Sequence, residues 1–388
     1  MSNERQNLGS EVRPFKIEIP EAELTDLHRR LDSVRWPEQE TVGDWSQGVP
    51  LAEMKKLVSY WRHQYDWRRC EAHLNSFPQF VTELDGLDIH FLHIRSSNPN
   101  ALPLVMTHGW PGSIIEFMKV IGPLTEPQNH GGKAEDAFHL VLPTLPGFGF
   151  SGKPAATGWK LDKIAANWHT LMLRLGYTHY VAQGGDWGSA VTHALGRLQP
   201  AGLKAIHTNL PVVMPAPPYD NLSAEEGAML QAMAEYQQAE AAYAIQQMTK
   251  PQTLGYGLAD SPVGQAAWIF EKFLAWTDCQ GHPLNIFSYD ELLDNIMLYW
   301  LPNASASSAR MYWENFAGGF MAQEVPVPCG YSIFPKELYM APRSWAEKCT
   351  PKLIHWNVLD RGGHFAAMEQ PALFVKELRD CFGQVRQG

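Results

Sequence analysis

The chain has 388 residues, 45% of them hydrophobic and 19% charged, with a formal net charge of -10 at pH 7. It is long enough for a large α/β domain with insertions and too apolar for a disordered chain. The acidic balance argues against nucleic acid or an anionic membrane surface as the main partner. Five cysteines (Cys70, Cys279, Cys329, Cys349 and Cys381) are scattered without a C-x-x-C pair. That spacing suits free thiols in a reducing compartment better than a disulfide framework or a zinc site. The polar start lacks the apolar core of a signal peptide, and no apolar run reaches the roughly 18 residues of a membrane span. A soluble, intracellular, cytoplasmic protein is expected. The 14 Trp and 14 Met residues exceed what a core of this size needs, and an apolar, adaptable ligand cavity is one use for them.

In chain order, residues 1–14 read as a loose arm. Leu24, Leu27, Leu31 and Val34 fall at helical spacing before Pro37, and Met54, Leu57, Val58, Trp61 and Tyr65 mark a second helix from Leu51. Neither helix buries a face alone, so residues 1–78 are expected to form an N-terminal helical extension docked on the body. Strands over 79–84 and 87–95 flank Asp85-Gly86, a type I′ hairpin signal. Strands at 102–106, 138–142, 180–182 and 204–208 then alternate with helices at 114–124, 161–175 and 189–198. Such repeated βα units after a hairpin predict an α/β fold: a mixed, mostly parallel sheet with helices on both faces. The rhythm breaks over 213–325, where helices at 224–247, 264–276, 289–301 and 305–316 suggest an inserted cap. Strands at 329–334 and 353–358 and a helix at 371–382 restore it. The core is thus expected in two parts, 79–212 and 326–388.

Gly184-Gly185-Asp186-Trp187-Gly188 sits between a strand and a helix, the context of a nucleophile elbow in which small neighbours allow a sharp turn. The usual serine is replaced by Asp186, and aspartate is also an ordinary turn residue. The loop Thr107-His108-Gly109-Trp110-Pro111-Gly112-Ser113 leaves a strand at the end where α/β sheets bind ligands. A backbone N–H there could meet a developing oxyanion together with that of Trp187. The glycine-rich Leu145–Gly152 loop lacks a phosphate-loop lysine and reads as a structural turn. His364 lies on a glycine turn after the last strand, with Glu337 following the strand before it. Nucleophile, acid and histidine therefore occur in the chain order of this fold. Asp360 is a rival carboxylate.

His108-Gly109-Trp110-Pro111-Gly112-Ser113, Gly184-Gly185-Asp186-Trp187-Gly188, Phe334-Pro335-Lys336-Glu337, Arg361-Gly362-Gly363-His364-Phe365 and Asp260-Ser261-Pro262-Val263-Gly264 together resemble the microsomal-type epoxide hydrolases of the α/β-hydrolase fold. The resemblance runs from about Val12 to the end. It implies Asp186 as nucleophile, His364 as base, Glu337 as its acidic partner, and two cap tyrosines gripping the epoxide oxygen. By position these are Tyr243 and Tyr312, with Tyr236 and Tyr256 competing for the first place and Tyr299 for the second. Trp110 and Trp187 would form the oxyanion hole and line the substrate site. No cofactor or metal is implied; the partners are a small-molecule epoxide and water, with no nucleic acid. The family's membrane-anchored members carry an apolar anchor not found at this N-terminus. Trp268, Phe270, Phe273, Met297 and Trp300 suggest an apolar pocket for aryl or alkyl epoxides, in a setting of aromatic hydrocarbon catabolism or detoxification. A haloalkane dehalogenase and a catalytically silent binding scaffold are the alternatives. The sequence leaves the assembly open, a homodimer included.

Overall fold

The computed structural model describes residues 11–215, 217–316 and 321–386. Most of the expected N-terminal arm, and short parts of the expected 213–325 segment, lie outside the described residues. The strands are β1 (Arg13–Pro14), β2 (Gln79–Leu84), β3 (Leu87–Ile94), β4 (Leu102–Thr107), β5 (Phe138–Pro143), β6 (Tyr180–Gly184), β7 (Leu203–Thr208), β8 (Cys329–Ile333) and β9 (Leu353–Val358). They form one sheet in the order β1-β2-β3-β5-β4-β6-β7-β8-β9. β1, β2, β3 and β5 pair antiparallel, and β5 through β9 pair parallel. Asp85 and Gly86 have φ of 50° and 81°, as the type I′ turn requires.

Strand order reverses at β4, with β5 on one side and β6 on the other. Crossovers leaving in opposite directions open a crevice at the carboxyl ends of these strands. Thr107 pairs with Gly184, so β4 and β6 end level and their following loops are side by side. The strands are apolar because both faces are covered: Leu104, Leu140, Val141, Val181, Ala205 and Ile206 are fully buried. Helices α4 (Met118–Thr125), α5 (Leu161–Arg174), α6 (Trp187–Leu198) and a C-terminal helix, Pro371–Gly383, pack against the sheet.

Between β1 and β2 come α1 (Glu21–Asp32), α2 (Leu51–His63) and α3 (Trp67–Asn75). The periodicity overran the first two, since Val34 and Tyr65 lie past the helix ends. It missed α3, whose Trp67, Cys70 and Leu74 are its buried residues; the Asp66 side chain caps it at Arg68 N. Between β7 and β8 come α7 (Ala224–Ala239), α8 (Ala242–Thr249), α9 (Pro251–Asp260), α10 (Pro262–Ala275), α11 (Tyr289–Trp300) and α12 (Ser305–Asn315). The single helix expected over 224–247 is two. Glu240 N and Ala241 N both turn back to Tyr236 O, which ends α7 and puts Tyr243 in the first turn of α8. α9 escaped notice because Gly255 and Gly257 weaken its helical signal. After β8 come α13 (Arg343–Cys349), also unforeseen, α14 (Ala366–Glu369) and the C-terminal helix, α15 (Pro371–Gly383).

The N-terminal helices brace α11. Tyr65 Oη donates to Asp294 Oδ1 at 2.8 Å, Arg69 Nη2 donates to the same oxygen at 2.6 Å, and Tyr60 Oη donates to Asp290 at 3.0 Å. The opposite side of α11 reaches the loop after β4: Ser113 Oγ donates to Asn295 Oδ1 at 2.7 Å, Asn295 Nδ2 to Pro111 O at 2.8 Å, and Tyr299 Oη to Gly112 O at 2.6 Å.

A second buried polar cluster ties β8 and β9 to α15. Glu377, 1% exposed, accepts from Ser332 Oγ at 2.7 Å, His355 Nε2 at 2.7 Å and Asn357 Nδ2 at 2.8 Å. Burial opposes its charge, but the hydrogen bonds from His355, Ser332 and Asn357 pull its carboxyl down to about 2. A depressed carboxylate stabilises the fold above its ordinary pKa and loses that contribution as pH falls toward the folded value. We predict that Glu377→Gln lowers stability at neutral pH by about 2 kcal/mol. It should also flatten the fall in melting temperature expected of the native chain on acidification from the ordinary carboxylate pKa toward about 2. Calorimetry over that pH range reads both; an unchanged acid limb in the variant would refute the assignment.

Candidate active site

β6 ends at Gly184, and α6 begins at Trp187, so the turn between them is completed by Gly185 and Asp186. Asp186 has φ 51° and ψ -128°, a conformation non-glycine residues rarely hold. The turn closes because neighbouring backbone comes very near. A Cβ on Gly188 would lie 1.9 Å from Thr107 O, and one on Gly109 would lie 2.1 Å from Asp186 Oδ1. The loop after β4 thus lies directly on the elbow, and Trp110 N donates to Asp186 Oδ1 at 2.8 Å.

The expected histidine arrives from the loop after β9. That loop is pinned by Lys336 N to Gly362 O at 3.1 Å and by His364 N to Trp276 O at 2.9 Å. His364 Nδ1–H donates to Glu337 Oε1 at 2.5 Å, and its Nε2 lies 3.4 Å from Asp186 Oδ2. Asp186, Glu337 and His364 are all buried. Burial of His364 disfavours its charge, but the Glu337 carboxylate and the Asp186 hydrogen bond and charge outweigh it and raise the imidazole well above its usual pKa. The rival Asp360 is exposed beyond the end of β9. Glu369 holds the loop in place: its carboxyl accepts from Phe365 N at 3.0 Å and from Asp278 N at 2.9 Å. Burial pushes it up to about 7.

Opposite the elbow stand the cap phenols. Tyr243 and Tyr312 are buried, with ring centroids 5.9 Å apart. Tyr243 stacks on Trp110 at 5.1 Å and 9°, and Tyr312 meets Trp187 edge-on at 4.9 Å. Burial, then neighbouring phenols and the Asp186 charge, hold Tyr243 well above the usual phenol pKa; for Tyr312 burial and Asp186 do the same. Both hydroxyls therefore keep their protons. Of the three competitors, Tyr299 is committed to Gly112 O, Tyr256 is 71% exposed, and Tyr236 donates to Tyr243 Oη at 3.1 Å.

A cavity of about 160 Å³ opens above Asp186, walled by Leu210, Met214, Met233, Tyr236, Phe316 and Leu338 together with the two phenols. The cap residues expected to shape the pocket are elsewhere. Phe270, Phe273 and Met297 are core, Phe273 stacking on Phe365 at 4.3 Å. Trp268 donates to Gln247 Oε1, and Trp300 lies under Arg30. Helical spacing selected the faces that pack the cap together, while the walls come largely from the segment after β7, α7 and the residues after Glu337. The Leu145–Gly152 loop is structural, with Phe148 wedged against His108 at 5.5 Å. Two titratable groups near the site carried no sequence signal. Burial pushes Glu116 up to about 8, with Gly109 N–H donating to its carboxyl. Lys272, paired with Glu271 at 2.6 Å, holds its ammonium 4.6 Å from the Tyr243 ring centroid. Among the described residues no group of three His, Cys, Asp or Glu side chains is placed to hold a metal ion.

The family pattern described as epoxide hydrolase N terminus matches residues 12–117, and that of the alpha/beta hydrolase fold matches residues 103–253. A Stigmatella aurantiaca (strain DW4/3-1) protein assigned as an epoxide hydrolase is 60% identical over 97% of this chain and 86% of its own length. Epoxide hydrolase 1 of Sus scrofa is 38% identical over 97% of this chain and 89% of its own. The crystal structure of the Aspergillus niger epoxide hydrolase superimposes with a TM-score of 0.86 at 34% identity, covering 98% of each chain. Juvenile hormone epoxide hydrolase from the silkworm Bombyx mori gives a TM-score of 0.89 at 29% identity over 100% of this chain and 97% of its own. No helix among the described residues is long and apolar enough to cross a membrane. The chain belongs to the epoxide hydrolases of the α/β-hydrolase fold.

Proposed function

We propose that the chain opens small apolar aryl or alkyl epoxides through an ester on Asp186. The observation that carries this reading is the placement of His364 between Glu337, 2.5 Å from Nδ1, and Asp186, 3.4 Å from Nε2, beneath two buried phenols. A carboxylate nucleophile can attack saturated carbon, which an epoxide offers. Asp186 Oδ2 forms a bond to a ring carbon, the ring C–O bond breaks, and Tyr243 or Tyr312 supplies the proton that the departing alkoxide takes. Phenols suit this because their pKa lies below that of an alcohol while they stay neutral until the oxygen needs them.

The charge of His364 orders the two halves. In the resting site Asp186 and Glu337 hold it protonated. Ester formation cancels the Asp186 charge, so His364 loses a reason to keep its proton, which passes through solvent to the phenolate. Neutral His364 then takes a proton from water, and the oxygen adds to the Asp186 carbonyl carbon. The oxyanion formed is met by the Trp110 N–H, already 2.8 Å from Asp186 Oδ1, and by that of Trp187. Collapse expels the diol oxygen, which takes the carboxyl proton, and Asp186 carboxylate with protonated His364 is restored.

The apolar walls favour hydrocarbon substituents, and about 160 Å³ favours compact ones. Detoxification or aromatic catabolism in the cytoplasm is the role that such a substrate range fits. Phenols, rather than indole N–H donors alone, face Asp186, which favours an epoxide oxygen over a halide as leaving group.

His364→Gln should slow ester hydrolysis on the order of 10²- to 10⁴-fold and accumulate a covalent adduct on Asp186. Intact-mass analysis with styrene oxide would show a shift equal to the epoxide, absent in Asp186→Ala. No adduct with any turned-over epoxide would sink the mechanism. The pH dependence has a definite sign: the pKa governing ester hydrolysis in single turnovers should lie below that of His364 in the free enzyme, followed by nitrogen NMR, because the ester removes the Asp186 charge. Equal values, or a higher one in the ester, would contradict the proposed order of steps.

A further inference from the structure

The reading above uses two phenols, but a third shares the cavity. Tyr236, on the last turn of α7, lines the pocket with Asp186, Tyr243 and Tyr312, and its hydroxyl donates to Tyr243 Oη at 3.1 Å. The helix break at Glu240 makes this contact: it folds α8 back so that residues seven apart in sequence meet hydroxyl to hydroxyl. A phenol has one proton to give and two lone pairs to receive with. If Tyr243 is to give its proton to the epoxide oxygen, the proton in its contact with Tyr236 must be that of Tyr236.

We propose, on the basis of the ester mechanism above, that Tyr236 is a positioning residue for the opening step: it donates to Tyr243 Oη, leaves the Tyr243 proton aimed into the cavity, and stabilises the Tyr243 phenolate formed when that proton goes to the alkoxide. The atoms balance without a co-reactant. The Tyr243 O–H bond breaks as the new alcohol O–H bond forms, Tyr236 keeps its own proton throughout, and the phenolate recovers one from His364 through solvent.

Burial, the neighbouring phenols and Asp186 all oppose charge on Tyr243, so a phenolate formed there depends on its nearest partners. Its ring is enclosed by Trp110, Trp276 and Tyr312 at centroid distances of 5.1 to 5.9 Å, and the Tyr312 hydroxyl is a second hydrogen-bond partner. The Lys272 ammonium lies over the ring face at 4.6 Å, where it balances charge but gives no directional hydrogen bond to the oxygen. Burial raises both phenols, which makes a donor to Tyr243 Oη valuable as its proton leaves. A charge-assisted hydrogen bond that strengthens as charge develops acts on the transition state and not on substrate binding.

The experiment follows ester formation in single turnovers of the full chain with para-substituted styrene oxides. Tyr236→Phe keeps the ring and removes one oxygen. We expect ester formation to slow about 10- to 100-fold, with ester hydrolysis unchanged and the loss smallest for epoxides whose alkoxide is the best leaving group. In a Tyr243→Phe background the same change should have no further effect, because the oxygen it serves is gone. An undiminished rate in Tyr236→Phe would overturn the inference, as would an equal loss in both backgrounds. Failure of the native chain to form any ester would instead reject the mechanism on which it rests.

Discussion

The site depends on one strained peptide. Asp186 sits at φ 51° and ψ -128°, which costs a non-glycine residue about 1–3 kcal/mol, so the surroundings must over-determine it. They do so from both sides of the turn. Ser189 N closes on Asp186 O at 2.9 Å and Ser189 Oγ on Gly184 O at 2.8 Å, while the Gln183 amide reaches Asn209 Oδ1 at 3.0 Å. The loop after β4 then presses so close that neither Gly109 nor Gly188 has room for a side chain. The strain lifts the carboxylate out of the sheet and separates its oxygens. Oδ1 takes a backbone N–H, and Oδ2 faces the imidazole. In the proposed cycle the first oxygen is the one that becomes an oxyanion and the second is the one that forms the ester, so the division of labour exists before any substrate arrives.

Holding that loop in place falls to α11. Asn295, fully buried, spends its amide on Pro111 O and receives Ser113 Oγ, and Tyr299 closes on Gly112 O. Next to Asn295 in the chain, Asp294 takes Tyr65 and Arg69 from the N-terminal helices. The N-terminal segment therefore reaches the active loop through one helix, by hydrogen bonds on opposite sides of it. This gives residues far from Asp186 a stake in the position of the Trp110 N–H, where small displacements matter for the oxyanion contact proposed above, since such a donor acts only at short range.

What the sequence revealed follows from which signals are local. The strand-turn-helix around Asp186, the Asp85-Gly86 hairpin and the chain order of Asp186, Glu337 and His364 are written in a few consecutive residues, and the structure has them where those residues indicate. Glu337 and Asp360 both follow strand ends in the sequence, and only the tertiary placement sets Glu337 against His364 and leaves Asp360 exposed. The cavity was not legible. Periodicity reports which face of a helix is buried, not what lies opposite, so Phe270, Phe273 and Met297 looked like a pocket and are the cap's own core. The break between α7 and α8 hid in the Glu240-Ala241-Ala242 stretch, where good helix formers give no warning, and with it went the meeting of Tyr236 and Tyr243. Glu116 and Lys272 are likewise placed by tertiary packing alone.

The choice of aspartate at the elbow has a consequence for the histidine as well as for the bond attacked. A neutral nucleophile needs a base beside it from the start, because its proton must leave as it attacks. In the proposed cycle Asp186 is already a nucleophile, and its charge helps to keep His364 protonated, so the resting imidazole is not the base. The charge that disables it disappears when Asp186 is esterified. In the proposed cycle the base is not spent on bulk water before substrate binds, and hydrolysis begins only when there is an ester to hydrolyse. Glu337, at 2.5 Å on the other ring nitrogen, keeps its charge through both proposed steps, which would hold the imidazole oriented and basic for the second. The two carboxylates flanking one ring therefore have unlike tasks, set by which of them can lose its charge.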